Sequence, residues 1–482
     1  MKLKALLSYL IFLVTITGLS QSFNPDKKFA ARQLVQDFDY MSTALEKAHP
    51  GLYWHVDTNK FDDWKETIRE TILRSDSLTE TEFLRKAVLL TFPIGCSHTS
   101  IDFSEAHENW WQQNALLLPF NLFEADGKYY VYQNYSDNAI LDFGTEILEI
   151  DGVPISKIFE QISLAIPTDG GNLSRIKNVL KTGFYYYYSF AIKESAAQYE
   201  VTCLQKSKEE ADITIVKGIT KTQLDTKRNA LNKKLPPIEC SVNKELNTVV
   251  LTIRSFRKDL MDNAGIDYNR FLDSFFVLSR VHEYKNLVID LRNNAGGLSE
   301  YGANLLSYLS PKLFVYCKNQ WLTSDTLFDF INYNIPETFQ GFPKGVVKED
   351  GGYKWKNHSV LGVQESSSNY FKGNVFFITN GKCASTSTEV LSAVRTYKLG
   401  TIVGEEAGGS YKGNTSGVTG TVILPITKAI VTIPMVRYEM PIDKQNTKGL
   451  RPDFVIKPAI DDWLNNRDAE MDFVLELIRN KK

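Results

Sequence analysis

The C-terminal half of this chain alternates short apolar runs with helical patterns, and that alternation restricts the fold more than any other feature. Residues 248–253, 286–291 and 374–379 have the composition of buried strands. Helical patterns follow at residues 298–309 and 387–397. Strands and helices that alternate in this way pack as layers around a shared core. We therefore expect a layered α/β domain from about residue 242.

The N-terminal part of the chain carries helical patterns instead. Apolar residues at spacings of four, three and four predict one face of an amphipathic helix: Leu34, Phe38, Met41 and Leu45. Thr79 and Glu82 form a capping-box pattern ahead of a further helix. A short strand-like segment follows at residues 100–103. This part is expected to be a helical block.

Short β-like runs replace the helices in the middle of the chain. Residues 129–132 and 146–150 favour strands, and Asp151-Gly152 after the second run is a hairpin-turn signal. Together these runs predict a small α+β module.

Two further segments fit no regular element. Residues 227–237 contain Lys-Lys and Pro-Pro pairs, which are typical of a linker. Residues 319–372 show no clean period, and we interpret them as a long insertion. Insertions of that size in compact domains are usually functional or mobile.

Composition excludes several classes of protein. The 482 residues carry 55 Lys and Arg against 57 Asp and Glu, a net charge of −2, whereas a general nucleic-acid binder needs a basic surface. With 43% hydrophobic residues the chain resembles folded rather than disordered proteins. The five cysteines are too few for a disulfide scaffold, and neither they nor the six histidines show metal-ligand spacing. We therefore expect no metal ion and no other cofactor.

The first 20 residues have the pattern of a signal peptide. Lys2 and Lys4 precede the apolar residues 5–16, and Gly18 and Ser20 supply small residues at a cleavage site. The apolar run is shorter than the ~20 residues that a spanning helix needs. We expect cleavage after residue 20, export to the periplasm or the medium, and no stable membrane insertion.

Two strand-to-helix junctions carry residues that could take part in catalysis. At the first, Gly296-Gly297 stands at a helix start, where the pair is either half of an oxyanion hole or a tight turn that needs positive φ. At the second, Ser385 stands at a helix N-terminus, where the macrodipole favours a developing alkoxide. Ser385 is either a nucleophile or an N-cap, which is the commoner role for serine at that position.

Taken together, the two junctions resemble the signature of the tail-specific, or C-terminal processing, serine peptidases. Residues 290–297, 384–389, 403–409 and 449–453 are similar to motifs of that family in the same order. Further segments are also similar to it: residues 49–53, residues 95–99, and residues 117–155, the last of which resemble its PDZ-type peptide-binding module. The resemblance covers nearly all of the chain after the leader.

The resemblance implies a nucleophile and an oxyanion hole. Ser385 matches the nucleophilic serine, and backbone N–H groups of Gly296 or Gly297 and of Thr386 would bind the tetrahedral oxyanion. In peptidases of the Ser–Lys type, a lysine follows a Gly-Glu-x-x-x-Gly run and serves as the general base. Ser410 stands at that position here.

Lys412 lies two residues after the expected lysine and stays an alternative base. The second catalytic type in this family is that of the tricorn protease core, in which a Ser-His pair supplies the base. Ser97-His98 matches that pair. A histidine titrates near the working pH, whereas a lysine must be strongly desolvated to serve as a base. The resemblance thus implies His98 as general base and then acid, with Ser97 orienting its ring.

An acidic residue completes the set in tricorn-like enzymes. The usual glutamate just before the closing turn is absent, because residues 446–448 are Asn-Thr-Lys. Asp443 is the first candidate for this role and Glu439 the second.

These observations predict an α+β multidomain chain. Its parts are a signal peptide at 1–20, an N-terminal helical domain at 21–112, a PDZ-like domain at 113–225, and a layered, crotonase-like α/β peptidase core at 238–482 with its insertion near 319–372. The expected function is that of an exported serine endopeptidase that cleaves polypeptides through an acyl-enzyme. The PDZ-like module would bind an extended polypeptide by strand addition, a free C-terminus being one form of this substrate. The alternatives are a catalytically inactive peptide- or ligand-binding protein and a small-molecule hydrolase or acyl transferase.

The remaining histidines and two cysteines are given structural roles. We expect His49 and His55 to be structural or to line the cleft, and His107, His282 and His358 to lie on the solvated surface. Cys96 and Cys383 each stand two residues before a proposed catalytic residue, and we expect both to be small buried packing residues rather than a disulfide.

Overall fold

A computed structural model describes residues 23–231, 234–442 and 449–480 of the chain. The predicted leader and the candidate acid Asp443 lie outside these residues. The α-helices have these bounds: Ala31–Ala48, Thr58–Leu73, Glu80–Ala87, Thr91–Ile94, Glu105–Asn114, Ile155–Ser163, Leu173–Ala191, Lys221–Leu231, Lys258–Asn263, Tyr268–Val281, Ser299–Ser307, Thr386–Tyr397, Ile460–Leu464 and Ala469–Asn480. Within the described ranges, none of these helices is long and apolar enough to cross a bilayer.

The N-terminal residues form helices as their periodicity predicts. The helix Ala31–Ala48 buries the predicted apolar face of Leu34, Phe38, Met41 and Leu45. The helix Glu80–Ala87 begins with the predicted capping box, in which the Thr79 side chain accepts the Glu82 N–H and the Glu82 side chain accepts the Thr79 N–H. Both predictions are confirmed.

The middle module, residues 120–217, is built on one antiparallel sheet. Its main strands have this spatial order: Asp212–Lys217, Gln198–Leu204, Glu146–Ile150, Lys128–Asn134 and Phe120–Ala125. Asp151 and Gly152 make the predicted turn with φ of 51° and 72°, and Val153–Pro154 returns against Glu146–Ile150. The module has its own apolar core, which the helix Leu173–Ala191 completes.

The predicted linker is shorter than expected. Residues 227–231 belong to the helix Lys221–Leu231, which buries Leu224. Asp225 pairs with both Lys221 and Arg228 on this helix, so the charged residues support it rather than interrupt it.

A mainly parallel sheet forms the centre of the C-terminal half. Its strands have this spatial order: Ile238–Asn243, Thr248–Ile253, Asn286–Asp290, Asn374–Thr379, Thr401–Gly404 and Phe454–Val455. The first pair is antiparallel and the others are parallel. The strands predicted from apolar runs are confirmed to within one residue at their ends, and so is the layered α/β arrangement, since helices pack against this sheet.

The segment 319–372 is not the irregular insertion that the sequence predicts. It contributes short strands to a second sheet, whose main strands have this order: Asn332–Asn334, Gly413–Ile423, Ile430–Glu439, Asn319–Leu322, Gly352–Trp355 and Val346–Glu349. The strand Ser100–Asp102 of the N-terminal block joins the same sheet beside Ile430–Glu439. One apolar core therefore runs from the N-terminal helices into the α/β layers.

Candidate active site

The two strand-to-helix junctions lie side by side at the carboxyl ends of two central strands of the mainly parallel sheet. Their strands are parallel neighbours, with Asp290 opposite Ile378, so their carboxyl ends lie side by side. The loops beyond them are joined by a pair of hydrogen bonds. The Asn293 N–H donates to Asn380 Oδ1 at 3.0 Å, and Asn380 Nδ2 donates to Asn293 Oδ1 at 3.1 Å.

Ser385 occupies a strained position at the second junction. Its backbone has φ 52° and ψ −128°, which a residue with a side chain rarely adopts and which costs roughly 1–3 kcal/mol. It directly precedes the helix Thr386–Tyr397, yet its side chain makes no capping hydrogen bond. The N-cap role that would explain an ordinary serine here is therefore not observed, and the hydroxyl is left for another use.

Gly296 and Gly297 bring the first junction against Ser385. A Cβ on Gly296 would lie 2.7 Å from Ser385 Cβ and 3.0 Å from the Thr386 nitrogen, and Gly296 has φ 103°. A Cβ on Gly297 would collide with the backbone of Phe256 at 2.0 Å. Both positions therefore require glycine, and the loop backbone lies directly beside the serine.

The N–H groups of this loop are not equivalent. The Gly296 N–H donates to Asn294 Oδ1 at 2.9 Å, within its own loop. Thr386 is the first residue of its helix, where an N–H has no intrahelical acceptor. Among the predicted oxyanion donors, Gly297 and Thr386 are thus less engaged than Gly296.

The Ser97-His98 pair lies in a turn of the N-terminal block. Ser97 Oγ and His98 Nδ1 are 3.3 Å apart. The preceding residue of the same turn, Cys96, has its Sγ 2.7 Å from the hydroxyl oxygen of Thr415. Burial lowers the pKa of His98, while the negative charge of Asp169 acts in the opposite direction. The imidazole is therefore kept mainly in its neutral form, which can accept a proton.

A cavity of about 490 Å³ joins the two halves of the predicted site. His98, Gly296, Gly297 and Ser385 all line it. The sequence-predicted base, oxyanion loop and serine thus come from segments far apart in the chain to one cavity.

Asp169 is a neighbour of His98 that sequence reasoning missed. Its Oδ1 accepts the Ser97 N–H at 2.7 Å, while its buried Oδ2 has no hydrogen-bond partner within the described part of the chain. One ligand-type atom each of Cys96, His98 and Asp169 lie within 4.8 Å of one another. The loop of Asp169 is brought here by the hydrogen bond from the Gly170 N–H to the carbonyl of Gly95.

The other predicted side chains lie elsewhere. The Glu439 carboxylate accepts hydrogen bonds from Asn319 at 2.8 Å and from Arg437 at 3.0 Å, and Glu439 does not line the cavity. Lys412 Nζ donates to the carbonyl of Trp54 at 2.6 Å, and burial followed by the charge of Arg437 lowers its pKa to about 8.

The segment 319–372 supplies one wall of the cavity. Phe339 and His358 line it together with Glu300 and Tyr438 of neighbouring elements. His358 lies 3.3 Å from Glu300 and 3.2 Å from Gln320 Nε2.

Three histidines and two cysteines complete the comparison with the sequence predictions. His107 and His358 are buried, so their prediction as solvated residues is wrong. His49 is buried and structural as predicted, with Nε2 at 2.9 Å from Thr99 Oγ1. Cys96 and Cys383 are buried free thiols, as expected.

The C-terminal half of the chain matches a known protein family. Residues 247–456 match the model of peptidase family S41. No curated protein matches the chain by sequence.

The solved structures of CPAF share the fold at low sequence identity. The structure of mature CPAF superposes with a TM-score of 0.64 at 13% identity, over 93% of this chain and 98% of that chain. CPAF complexed with lactacystin gives 0.65 at 12% identity, over 93% and 99%. The photosystem II D1 C-terminal processing protease gives 0.43 at 14% identity, over 88% and 93%. The family-model match shows that residues 247–456 form a peptidase domain of family S41, the tail-specific peptidases that the motifs of the chain resemble, and the chain is a serine-type peptidase.

Proposed function

We propose that this protein is an exported endopeptidase that cleaves polypeptides through an acyl-enzyme formed on Ser385. One observation carries the proposal: a strained serine with an uncapped hydroxyl shares a cavity with a partly buried histidine. A serine hydroxyl is a weak nucleophile unless a neighbouring base takes its proton. A histidine can do so near neutral pH. Two histidines line this cavity, and we assign the role to His98 because the ring nitrogens of His358 are engaged by Glu300 and Gln320.

The proposed reaction follows from these groups. Ser385 Oγ attacks the scissile carbonyl carbon while His98 takes the hydroxyl proton. The backbone N–H groups of Gly297 and Thr386 stabilise the negative charge on the carbonyl oxygen. His98 then gives the proton to the leaving amine, the peptide bond breaks, and water hydrolyses the remaining ester by the same steps in reverse.

The charge that supports His98 is assigned to Asp169 in this proposal. Ser97 Oγ lies 3.3 Å from the imidazole Nδ1, and the Ser97 N–H donates a hydrogen bond to the Asp169 carboxylate. A buried carboxylate near the ring stabilises the imidazolium that forms during attack. Glu439 is engaged by Asn319 and Arg437, and Asp443, outside the described residues, stays a prediction.

Substrate binding is assigned to two regions. The middle module is proposed to act as a PDZ-like peptide-binding domain, and the central sheet as a crotonase-like core. The wall that contains Phe339 and His358 is proposed to contact the substrate side chains next to the scissile bond, because it faces the same cavity as Ser385. Export rests on the leader pattern in the sequence.

Covalent labelling tests the proposal. A fluorophosphonate reacts with an activated serine, so we expect the purified protein to be labelled and Ser385→Ala to be unlabelled. His98→Ala should slow labelling by several orders of magnitude. An unlabelled wild-type protein would favour the alternative of a binding protein on this scaffold.

Cleavage of a polypeptide is the second readout. A mixture of denatured proteins, analysed by mass spectrometry of the fragments, should give internal cleavage products with the wild type and none with Ser385→Ala. Labelling without such products would favour a small-molecule hydrolase instead.

A further inference from the structure

We propose that Cys96, His98 and Asp169 form a zinc site and that zinc bound there switches the peptidase off. The site itself stands on the geometry of these three side chains, whereas its inhibitory effect rests on the proposed function. It is not visible in the sequence, because Asp169 comes from a loop far along the chain from the Cys-Ser-His turn.

The three side chains are grouped closely enough to bind one ion. A sulfur, a ring nitrogen and a carboxylate oxygen, one from each residue, lie within 4.8 Å of one another. Ligands at 2.0–2.3 Å from a tetrahedral zinc ion lie about 3.3–3.8 Å apart, so side-chain movements of ~1 Å close the set.

One oxygen of the Asp169 carboxylate is held by a hydrogen bond, and the other can bind a metal ion. Asp169 is 2% exposed, its Oδ1 is held by the Ser97 N–H, and its buried Oδ2 has no hydrogen-bond partner in the described residues. A buried carboxylate oxygen without a partner is costly, because its desolvation is not compensated. A cation at this position would compensate it.

The thiol is surrounded by groups that can stabilise a thiolate. Cys96 is 4% exposed and its Sγ accepts the His98 N–H at 3.4 Å. The Thr415 hydroxyl lies 2.7 Å from the same sulfur and can donate to it. Outer donors of this kind orient metal ligands and tune their affinity.

The donor set selects a borderline-soft metal ion. One sulfur, one imidazole nitrogen and one carboxylate oxygen are typical zinc ligands, and three protein ligands leave a fourth position for water. Magnesium and calcium prefer oxygen ligands alone and should not compete. On binding, the Cys96 thiol loses its proton to solvent and the sulfur forms the bond to zinc, with no change of oxidation state.

Zinc at this position removes the base. A neutral imidazole has one nitrogen with a free lone pair, and the other nitrogen carries a proton. When zinc takes the lone pair of His98, the remaining nitrogen is an N–H donor and cannot accept the Ser385 proton. Binding and catalysis are therefore mutually exclusive on this residue.

Metal binding is measured on Ser385→Ala, which keeps all three ligands but cannot cleave itself. Zinc chloride is titrated against a chromogenic chelator. We expect one zinc ion per chain of this variant. A second substitution in the same chain, Cys96→Ala, should weaken zinc binding at least about tenfold, whereas Cys203→Ala should leave it unchanged. Cys203 is the matched control, since it is a buried free thiol in the middle module. No bound zinc, or equal binding in both cysteine variants, overturns the site.

Cobalt identifies the sulfur ligand directly. Cobalt(II) bound in place of zinc should give a thiolate-to-cobalt charge-transfer band in the Ser385→Ala protein, and the band should persist with Cys203→Ala. If the Ser385→Ala protein shows no such band, the proposed site is overturned, even if Cys96→Ala does not fold.

The inhibitory effect has its own readout. At a zinc concentration that slows fluorophosphonate labelling of the wild type about tenfold, labelling of Cys96→Ala should fall by no more than about twofold, because the variant binds zinc at least about tenfold more weakly. Zinc binding without slower labelling overturns the inhibition. A zinc-free wild type that is not labelled at all counts against the proposed peptidase mechanism, while the binding experiment still decides the site.

Discussion

The backbone N–H of Ser97 donates a hydrogen bond of 2.7 Å to Oδ1 of Asp169, and this contact joins the histidine-bearing turn to a loop of the middle module. It fixes the carboxylate beside the imidazole without using the imidazole itself. The second carboxylate oxygen is left to act electrostatically on His98.

Asp169→Asn tests that electrostatic role. The amide oxygen can still accept the Ser97 N–H, so the turn keeps its shape while the negative charge is lost. We expect the second-order rate of fluorophosphonate labelling to fall roughly 10²–10⁴-fold, where the upper limit is the loss seen when an aspartate bonded directly to a catalytic histidine is neutralised. The circular dichroism spectrum should not change.

Asp142→Asn is the matched control, because Asp142 is exposed on the same module. Its labelling rate should equal that of the wild type. If Asp169→Asn is labelled within about twofold of the wild-type rate, the carboxylate has no catalytic role and Asp443 becomes the leading candidate.

Gly296→Ala tests how closely the oxyanion loop fits against the serine. The new methyl group would meet Ser385 Cβ at 2.7 Å and must displace either the serine or the loop. We expect fluorophosphonate labelling to fall more than about 100-fold, since ~1 Å errors at a catalytic centre cost that much.

Gly265→Ala separates collision from backbone strain. Gly265 also has positive φ, at 67°, but an added Cβ there would meet no atom within 4 Å. This variant should lose stability on thermal unfolding while retaining its labelling rate. Equal labelling losses in both variants would show that strain alone, and not the contact with Ser385, accounts for the effect.

Local patterns predicted most of the elements that carry the site. The strands at 248–253 and 374–379 were found because buried strands need continuous apolar runs, and Ser385 and the glycine pair were found because they stand directly after such strands. Each of these signals lies within a few residues of the chain, where periodicity and turn chemistry operate.

The features that could not be predicted from the sequence depend on partners far away in the chain. Asp169 is 72 residues from Ser97, and nothing in its own loop says which backbone N–H its carboxylate will meet. The short strands Asn319–Leu322 and Asn332–Asn334 form because two distant strands, Ile430–Glu439 and Gly413–Ile423, offer edges for them. His107 appeared to have no partner because Glu80 and Glu194 reach it from other elements.

Lys412→Met distinguishes the Ser–His mechanism from a Ser–Lys one. The Lys412 ammonium donates to the carbonyl of Trp54 and lies 4.5 Å from the centre of that residue's ring, a structural arrangement. We expect the labelling rate to stay within about twofold of the wild type, with a loss of stability of about 1–2 kcal/mol in urea unfolding. A loss of labelling comparable to that of His98→Ala would instead make Lys412 the base.

His107 makes the fold sensitive to alkaline pH. Burial disfavours its charged form, but hydrogen bonds to Glu194 and then Glu80 outweigh burial and raise its pKa to about 9, against 6.5 for an ordinary histidine. Because the folded-state pKa is the higher one, the stabilisation is complete below about pH 6.5 and is lost as the pH rises through 9. Its size is about 3 kcal/mol from a shift of this extent.

Urea unfolding at pH 6.5 and pH 9.5 measures this effect. The wild type should lose stability between the two values, and His107→Gln, which fills a similar volume without the titrating ring, should lose about 3 kcal/mol less over the same interval. His282→Gln is the control, since its ring packs near Tyr284 away from this cluster, and it should follow the wild type. If wild type and His107→Gln show the same pH dependence, the ion cluster around His107 does not hold its proton in the folded state.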